Sequence, residues 1–210
     1  MLILASRSPR RRDLLAHLGV PFRVVAPEVE EDAAPASSGK PEELAEALAM
    51  AKADAVARDE EEGIVIAADT IVVDGEAILG KPADGAEAAA TLRGLRGRTH
   101  RVITGLAVVD AGSGQRTASH VVTAVRMRHY SDAEIAAYVA RGEPLDKAGA
   151  YAIQDEPFHP VASYDGCYCN VVGLPLKALL SLLRRAGLDI RPNSLEDLPA
   201  QCGTCPIAVE

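Results

Sequence analysis

The chain has 210 residues, of which 48% are hydrophobic and only 3% aromatic, and a formal net charge of −8. That length supports one domain with a substantial core built from Ala, Val, Leu and Ile, or two small lobes. The acidic balance argues against general affinity for DNA or RNA, scarce aromatics leave little for base stacking, and no apolar run approaches the roughly 18 residues that span a membrane.

The opening "MLILASRSPRRR" carries its charges after its apolar stretch, the reverse of a secretory signal, so a cytoplasmic protein is expected. "LILAS" reads as a short buried strand, and the following helix has clear ends. Ser8 caps it, Pro9 suits its first position and Gly19 stops it. Residues 22–26 form a second strand, and the acid-, Ala- and Pro-rich stretch 27–40 reads as a mobile loop. The spacing predicts a helix over 41–58 with Leu44, Leu48, Ala51 and Ala55 as its apolar stripe. "GIVIAADTIVV" is a strand, and Asp74-Gly75 is a hairpin signal before "EAIL".

Further on, Asp84 and Glu87 suit a capping box for a helix over 85–95, as do Ser131 and Glu134 for a helix ending near Gly142. Two long strands lie between these helices, around 100–109 and 116–129, joined by "AGSG". The last regular piece is "LPLKALLSLLRRAG", a helix with Pro175 near its first turn. Helices and hairpins interleaved in this way point to an α/β or α+β mixed sheet.

Arg7, Arg10, Arg11 and Arg12 stand together in an otherwise acidic chain. A strand-to-helix turn offers free backbone N–H groups and the positive end of a helix dipole. Ser6 and Ser8 add hydroxyls, and Arg10 and Arg11 add planar cations suited to phosphate. The bland alternative is a capped helix with solvated arginines. Asp69 interrupts a β-rich apolar run, where an unpaired carboxylate would be costly, so a task such as metal ligation or proton acceptance is expected, with an Asp bonded to a nearby loop as the bland alternative. Lys52 shares a helix row with Leu48 and Val56, and snorkelling is its alternative. Lys81 sits in "LGKP", which lacks the spacing of a Walker A loop. Asp146, Lys147 and Gln154 belong to a Gly-rich polar segment, in which the Gln154 amide suits a base edge. Glu28, Glu30, Glu31 and Asp32 form an acidic run that reads as a solvated face or as a source of one cation ligand. The five histidines show no metal spacing.

The ordered set "LASRSPRR", "AMAKA", "AADTIV", "LGKP", "GRTHRVITG", "DKAGAYAIQ" and "NVVGLPL" resembles the Maf family of nucleotide pyrophosphatases, over about residues 1–187. The resemblance implies an α/β fold with a mixed twisted sheet flanked by helices, in two lobes around a cleft, related to inosine triphosphate pyrophosphatase. It implies hydrolysis of nucleoside triphosphates to the monophosphate and pyrophosphate, a divalent cation (Mg²⁺, or Mn²⁺), a homodimer and a link to septum formation. The family's catalytic aspartate falls on Asp69 and its glutamate best on Glu31, with both as metal ligands. Its lysines fall on Lys52 and Lys81. Substrate contacts are expected at Ser6, Ser8, Arg10, Arg11, Thr70, Asp146, Lys147 and Gln154. Arg10 and Gln154 resemble the dTTP/UTP branch. A carboxamide answers both the N3–H and the carbonyl of uracil or thymine, whereas a carboxylate better suits guanine.

The chain departs from the family pattern in "DEPFHPVASYDGCYCN", where Cys167 and Cys169 replace small residues and are expected to serve packing. Residues 188–210 extend beyond the usual family end and are expected to be a flexible tail. The tail's "CGTC" at 202–205 is half a zinc site or a redox pair, and Cys167 and Cys169 would complete four cysteines. The nearest alternative is a pyrophosphatase for modified or other nucleotides, and two other classes stand beside the enzyme: a regulator of septum formation that binds nucleotide without turnover, and a nucleic-acid binder using the arginines.

Overall fold

The computed structural model describes residues 1–29, 39–190, Pro199 and Cys205. Among them, seven strands form one mixed sheet in the order β2-β1-β3-β5-β6-β7, with β4 paired to β3. The strands are β1 (Leu2–Ala5), β2 (Phe22–Val25), β3 (Ile64–Asp74), β4 (Ala77–Leu79), β5 (Thr99–Asp110), β6 (Arg116–Met127) and β7 (Val161–Asp165). Pairings of β1 with β2 and β3 are parallel, and the rest are antiparallel. Parallel neighbours need a crossover. Helix α1 (Pro9–Ala16) supplies the one between β1 and β2, and α2 (Pro41–Ala57) lies between β2 and β3.

The helix ends follow the local signals. The Ser8 hydroxyl accepts from the Arg11 amide, Pro9 occupies the first turn, and Gly19 takes a left-handed φ of 68°. Helices α3 (Gly85–Leu95) and α4 (Asp132–Ala140) are capped by Asp84 and Ser131. The full capping box forms only at Ser131. At α3 the Glu87 carboxylate reaches back one residue further, to the Ala83 amide. Among the described residues, α5 (Tyr168–Val172) and α6 (Leu176–Arg185) follow.

Side-chain alternation along β3 sorts the core into two layers. Leu2, Leu4, Ile66 and Ala68 pack toward α1 and α6, whereas Ile3, Ala5, Val65 and Ala67 pack toward α2. The predicted stripe on α2 is corrected by the structure. Its buried residues are Ala45, Ala49, Ala53 and Val56, not Leu44, Leu48, Ala51 and Ala55. The cause is closeness. A Cβ on Gly105 would sit 2.1 Å from the Ala45 carbonyl oxygen, so the contact face admits only small residues. Leu48 is turned to a cavity instead.

A second apolar cluster joins α3, α4 and the segment before β7 through Leu92, Leu95, Ile135, Tyr138 and Phe158, with Tyr138 stacked on Phe158 at 4.3 Å between ring centroids. Beside it, His100 is buried. Its Nε2 meets the Tyr151 hydroxyl at 2.7 Å, and its Nδ1 has no partner among the described residues. Burial lowers its pKa from 6.5 to about 4, against a weaker upward pull from Asp74. The unfolded imidazole takes a proton below about 6.5 and the folded one only below about 4. Stability therefore falls as pH drops through this window, by about 2–3 kcal/mol, and His100 adds no pH dependence above it. Urea unfolding at pH 7.5 and 4.5 should show this loss in the parent and a smaller one in His100→Gln. Equal losses in both would refute it.

Candidate active site

Between its last rung with β1, at Ala67, and its first rung with β4, at Val72, β3 has no strand on that edge among the described residues. Residues 68–71 therefore border a gap in the sheet. Side chains from both faces of β3 reach that opening. A cavity of about 520 Å³ lies there, within the usual range for small-molecule sites.

Asp69 points to the α2 face, and its Oδ1 accepts from Lys52 Nζ at 2.5 Å. The two side chains are only 14% and 12% exposed. This pairing resolves both outliers in the sequence. The carboxylate in the apolar strand and the ammonium beside an apolar helix face answer each other. Lys52 is therefore engaged with Asp69 rather than snorkelling.

Thr70, the next residue, points to the opposite face. Its hydroxyl receives Arg11 Nη2 at 3.1 Å and meets the Thr104 hydroxyl at 2.9 Å across the β3–β5 rung. Arg11 Nε also donates to the Gly173 carbonyl at 2.9 Å. Thr104 is in turn held by Asn170. The Asn170 side-chain oxygen accepts from the Thr104 amide, its backbone carbonyl accepts from the Thr104 hydroxyl, and its Nδ2 donates to Val102 and Thr123. Asn170 is fully buried, so each satisfied group avoids a desolvation cost of about 1–3 kcal/mol. Sequence reasoning assigned no role to Thr104 or Asn170. Both lie inside motifs of the family resemblance, Thr104 in "GRTHRVITG" and Asn170 at the head of "NVVGLPL".

The opening motif forms the cavity's other wall. Ser6, Arg7, Ser8, Arg10 and Arg11 all line it, while Arg12 turns outward and pairs with Asp13. Ser6 is buried, and its Oγ accepts from the Ser8 amide. Arg10 reaches Asp146 at 3.2 Å, linking α1 to the Gly-rich polar segment. Lys147 is buried and donates to the Glu143 carbonyl, to the Glu143 carboxylate and to Asp146 Oδ1 at 2.6 Å. Burial pushes the Asp146 carboxyl up, but the bonds and charges of Lys147 and Arg10 outweigh it and leave a net lowered pKa. Lys81 and Gln154 also line the cavity, Gln154 from an exposed position. Every expected site residue except Glu31 is thus brought to one cavity. Glu31, with neighbours Glu30 and Asp32, lies outside the described residues.

The model of the Maf-like protein family matches residues 1–186. The chain belongs to the Maf family. A dTTP/UTP pyrophosphatase of Thermomicrobium roseum is 50% identical over 99% of this chain and 94% of its own length. A dTTP/UTP pyrophosphatase of Pelotomaculum thermopropionicum is 47% identical over 90% of this chain and 98% of its own. One from Dehalococcoides mccartyi is 43% identical over 98% of this chain and 91% of its own. The mixed α/β sheet expected of a Maf-family chain is the one observed. Among the described residues, no helix is long and apolar enough to cross a membrane, and no three His, Cys, Asp or Glu side chains are grouped to hold a metal.

Proposed function

We propose that this Maf-family chain hydrolyses dTTP and UTP to the nucleoside monophosphate and pyrophosphate. The observation that carries this reading is the Lys52–Asp69 pair facing a cavity whose other wall is a helix N-terminus with three arginines. The triphosphate lies against the start of α1, where backbone N–H groups, Ser8, Arg10 and Arg11 answer its charge. Asp69 orients a water for attack on the α-phosphorus and takes its proton. The new bond is O–Pα, and the bond that breaks joins Pα to the bridging oxygen, which leaves with pyrophosphate. Lys52 holds Asp69 in place, and Lys81 and Arg11 stabilise the charge that grows on the leaving group.

A divalent cation, Mg²⁺ or Mn²⁺, belongs to this reading. Such an ion is held by one or two carboxylates with substrate phosphates, and the carboxylate that Asp69 turns to the cavity is a hard oxygen donor of that kind. Asp69, with Glu31, would hold the ion. When bound, it supplies charge neutralisation across the phosphates.

The base lies toward Gln154, whose amide donates and accepts to the pyrimidine edge. Gln154→Glu should lower kcat/KM for dTTP and UTP by roughly 10–100-fold, because a carboxylate cannot donate to the base carbonyl. An unchanged ratio among bases in that variant would remove Gln154 from base selection.

Pyrophosphate release from a panel of normal and modified triphosphates with Mg²⁺ tests the whole reading. Release from dTTP and UTP above the purine nucleotides is expected. No release from any triphosphate would favour a non-catalytic nucleotide-binding regulator. The cytoplasmic location and the homodimer belong to the same reading, and sedimentation at micromolar concentration tests the dimer.

A further inference from the structure

The hydrogen bonds behind Arg11 run in one direction. The Asn170 backbone carbonyl can only accept, so the Thr104 hydroxyl donates its proton there, at 2.9 Å. Thr104 Oγ1 is left with lone pairs, and the 2.9 Å contact between the two threonine hydroxyls is therefore donated by Thr70. Thr70 has then used its own proton, and its oxygen accepts from Arg11 Nη2 at 3.1 Å. The order is Arg11, Thr70, Thr104, Asn170, each group donating to the next. Thr104 and Asn170 are fully buried, so no solvent competes for these bonds. Asn170 is clamped in turn. Its Oδ1 accepts from the Thr104 amide, and its Nδ2 donates to the Val102 carbonyl at 3.0 Å and to the Thr123 hydroxyl at 2.8 Å.

A second route from Arg11 ends on the same segment. Arg11 Nε donates to the carbonyl of Gly173, the residue that closes α5. Nε and Nη2 make up one edge of the guanidinium, so these two bonds together fix its plane. Arg11 and Thr70 line the cavity, whereas Thr104 and Asn170 stand behind it.

On the pyrophosphatase reading, in which Arg11 meets the leaving group's charge, we infer that Thr104 and Asn170 are positioning residues that act through Arg11. They touch no substrate. They hold the guanidinium where charge develops, so that no reorganisation is needed as the bond to the bridging oxygen breaks. Such a brace bears on the transition state more than on the bound triphosphate, and its removal belongs in kcat.

A double-mutant cycle of Thr104→Val with Arg11→Gln tests this. Valine matches threonine in shape and lacks the hydroxyl. Thr104→Val alone should lower kcat for dTTP by about tenfold and leave KM within about twofold. Thr104→Ser, which keeps the donor, should retain about half or more of the parental kcat. In the Arg11→Gln background, Thr104→Val should cost less than about twofold further, because the route it cuts is already gone. All variants are checked for folding by circular dichroism, and Thr104→Ala takes the place of a valine variant that does not fold. The same cycle is read in pyrophosphate affinity by titration calorimetry with Mg²⁺, which needs no turnover. Coupling of the two sites in affinity, in a parent that releases no pyrophosphate from any triphosphate, would sink the pyrophosphatase reading and keep the brace. Effects that simply multiply in both readouts would overturn the inference, as would a Thr104→Ser variant as impaired as Thr104→Val. A Thr104→Val enzyme equal to the parent would overturn it too. A parent with neither turnover nor pyrophosphate binding would overturn both.

Discussion

Asp69→Asn will lower pyrophosphate release from dTTP by about 10²–10⁴-fold, the usual worth of a positioned general base. The substitution keeps the side chain's shape and an oxygen for Lys52, but removes the proton acceptor. It also leaves the Lys52 ammonium, only 12% exposed, without its counter-charge. Stability should fall by about 1–3 kcal/mol for that reason alone. Activity must therefore be read at 25 °C on protein shown to be folded by circular dichroism. The double variant Lys52→Met/Asp69→Asn separates the two effects. It should regain much of the lost stability, since no charge is then stranded, and regain no turnover. If Asp69→Asn turned over within tenfold of the parent, the water-activating role would have to pass to another group.

Gly105→Ala will cost about 3 kcal/mol of stability, a large effect for a single methyl group. Its Cβ would stand 2.1 Å from the Ala45 carbonyl oxygen, 2.2 Å from that carbonyl carbon and 2.6 Å from the Glu46 nitrogen. These are backbone atoms of α2, so no rotamer change relieves them and the helix has to lift. Lys52 rides on that helix, so turnover should drop as well, by about tenfold, through a lengthened contact with Asp69. Gly94→Ala is the control. It lies in α3 with nothing near its would-be Cβ, and alanine there favours the helix by about 0.5–1 kcal/mol. Urea midpoints of the two variants should move in opposite directions. A Gly105→Ala midpoint equal to the parent's would mean that α2 does not approach β5 so closely.

Most of the regular structure was legible from local signals, because caps, turns and alternation act within a few residues. Ser8, Pro9 and Gly19 bound α1, and Asp74-Gly75 turns β3 into β4. Two kinds of feature were not legible. The stripe on α2 follows from how near β5 lies, which no hydrophobic pattern in 41–57 encodes. β7 and α5 are short and lie in a stretch where this chain departs from the family pattern, so periodicity had little to act on. The site shows the same division. Asp69 stood out because a carboxylate in an apolar strand needs a reason, and Lys52 supplied it from 17 positions away. Thr104 and Asn170 did not stand out, since a threonine in a strand and an asparagine near a turn are unremarkable until their partners are seen.

The bonds from Asn170 to Thr104 bear on how the protein is born. Thr70 and Arg11 sit early in the chain, yet the residue that braces them through Thr104 is translated long after both. At about 5–20 residues per second, the ribosome needs roughly 5–20 s to travel from Thr70 to Asn170. Throughout that interval Thr70 and Arg11 lack the bonds that reach them from Asn170 through Thr104. The wall that receives the triphosphate is thus a joint between segments 162 positions apart, and it closes only once both have been made.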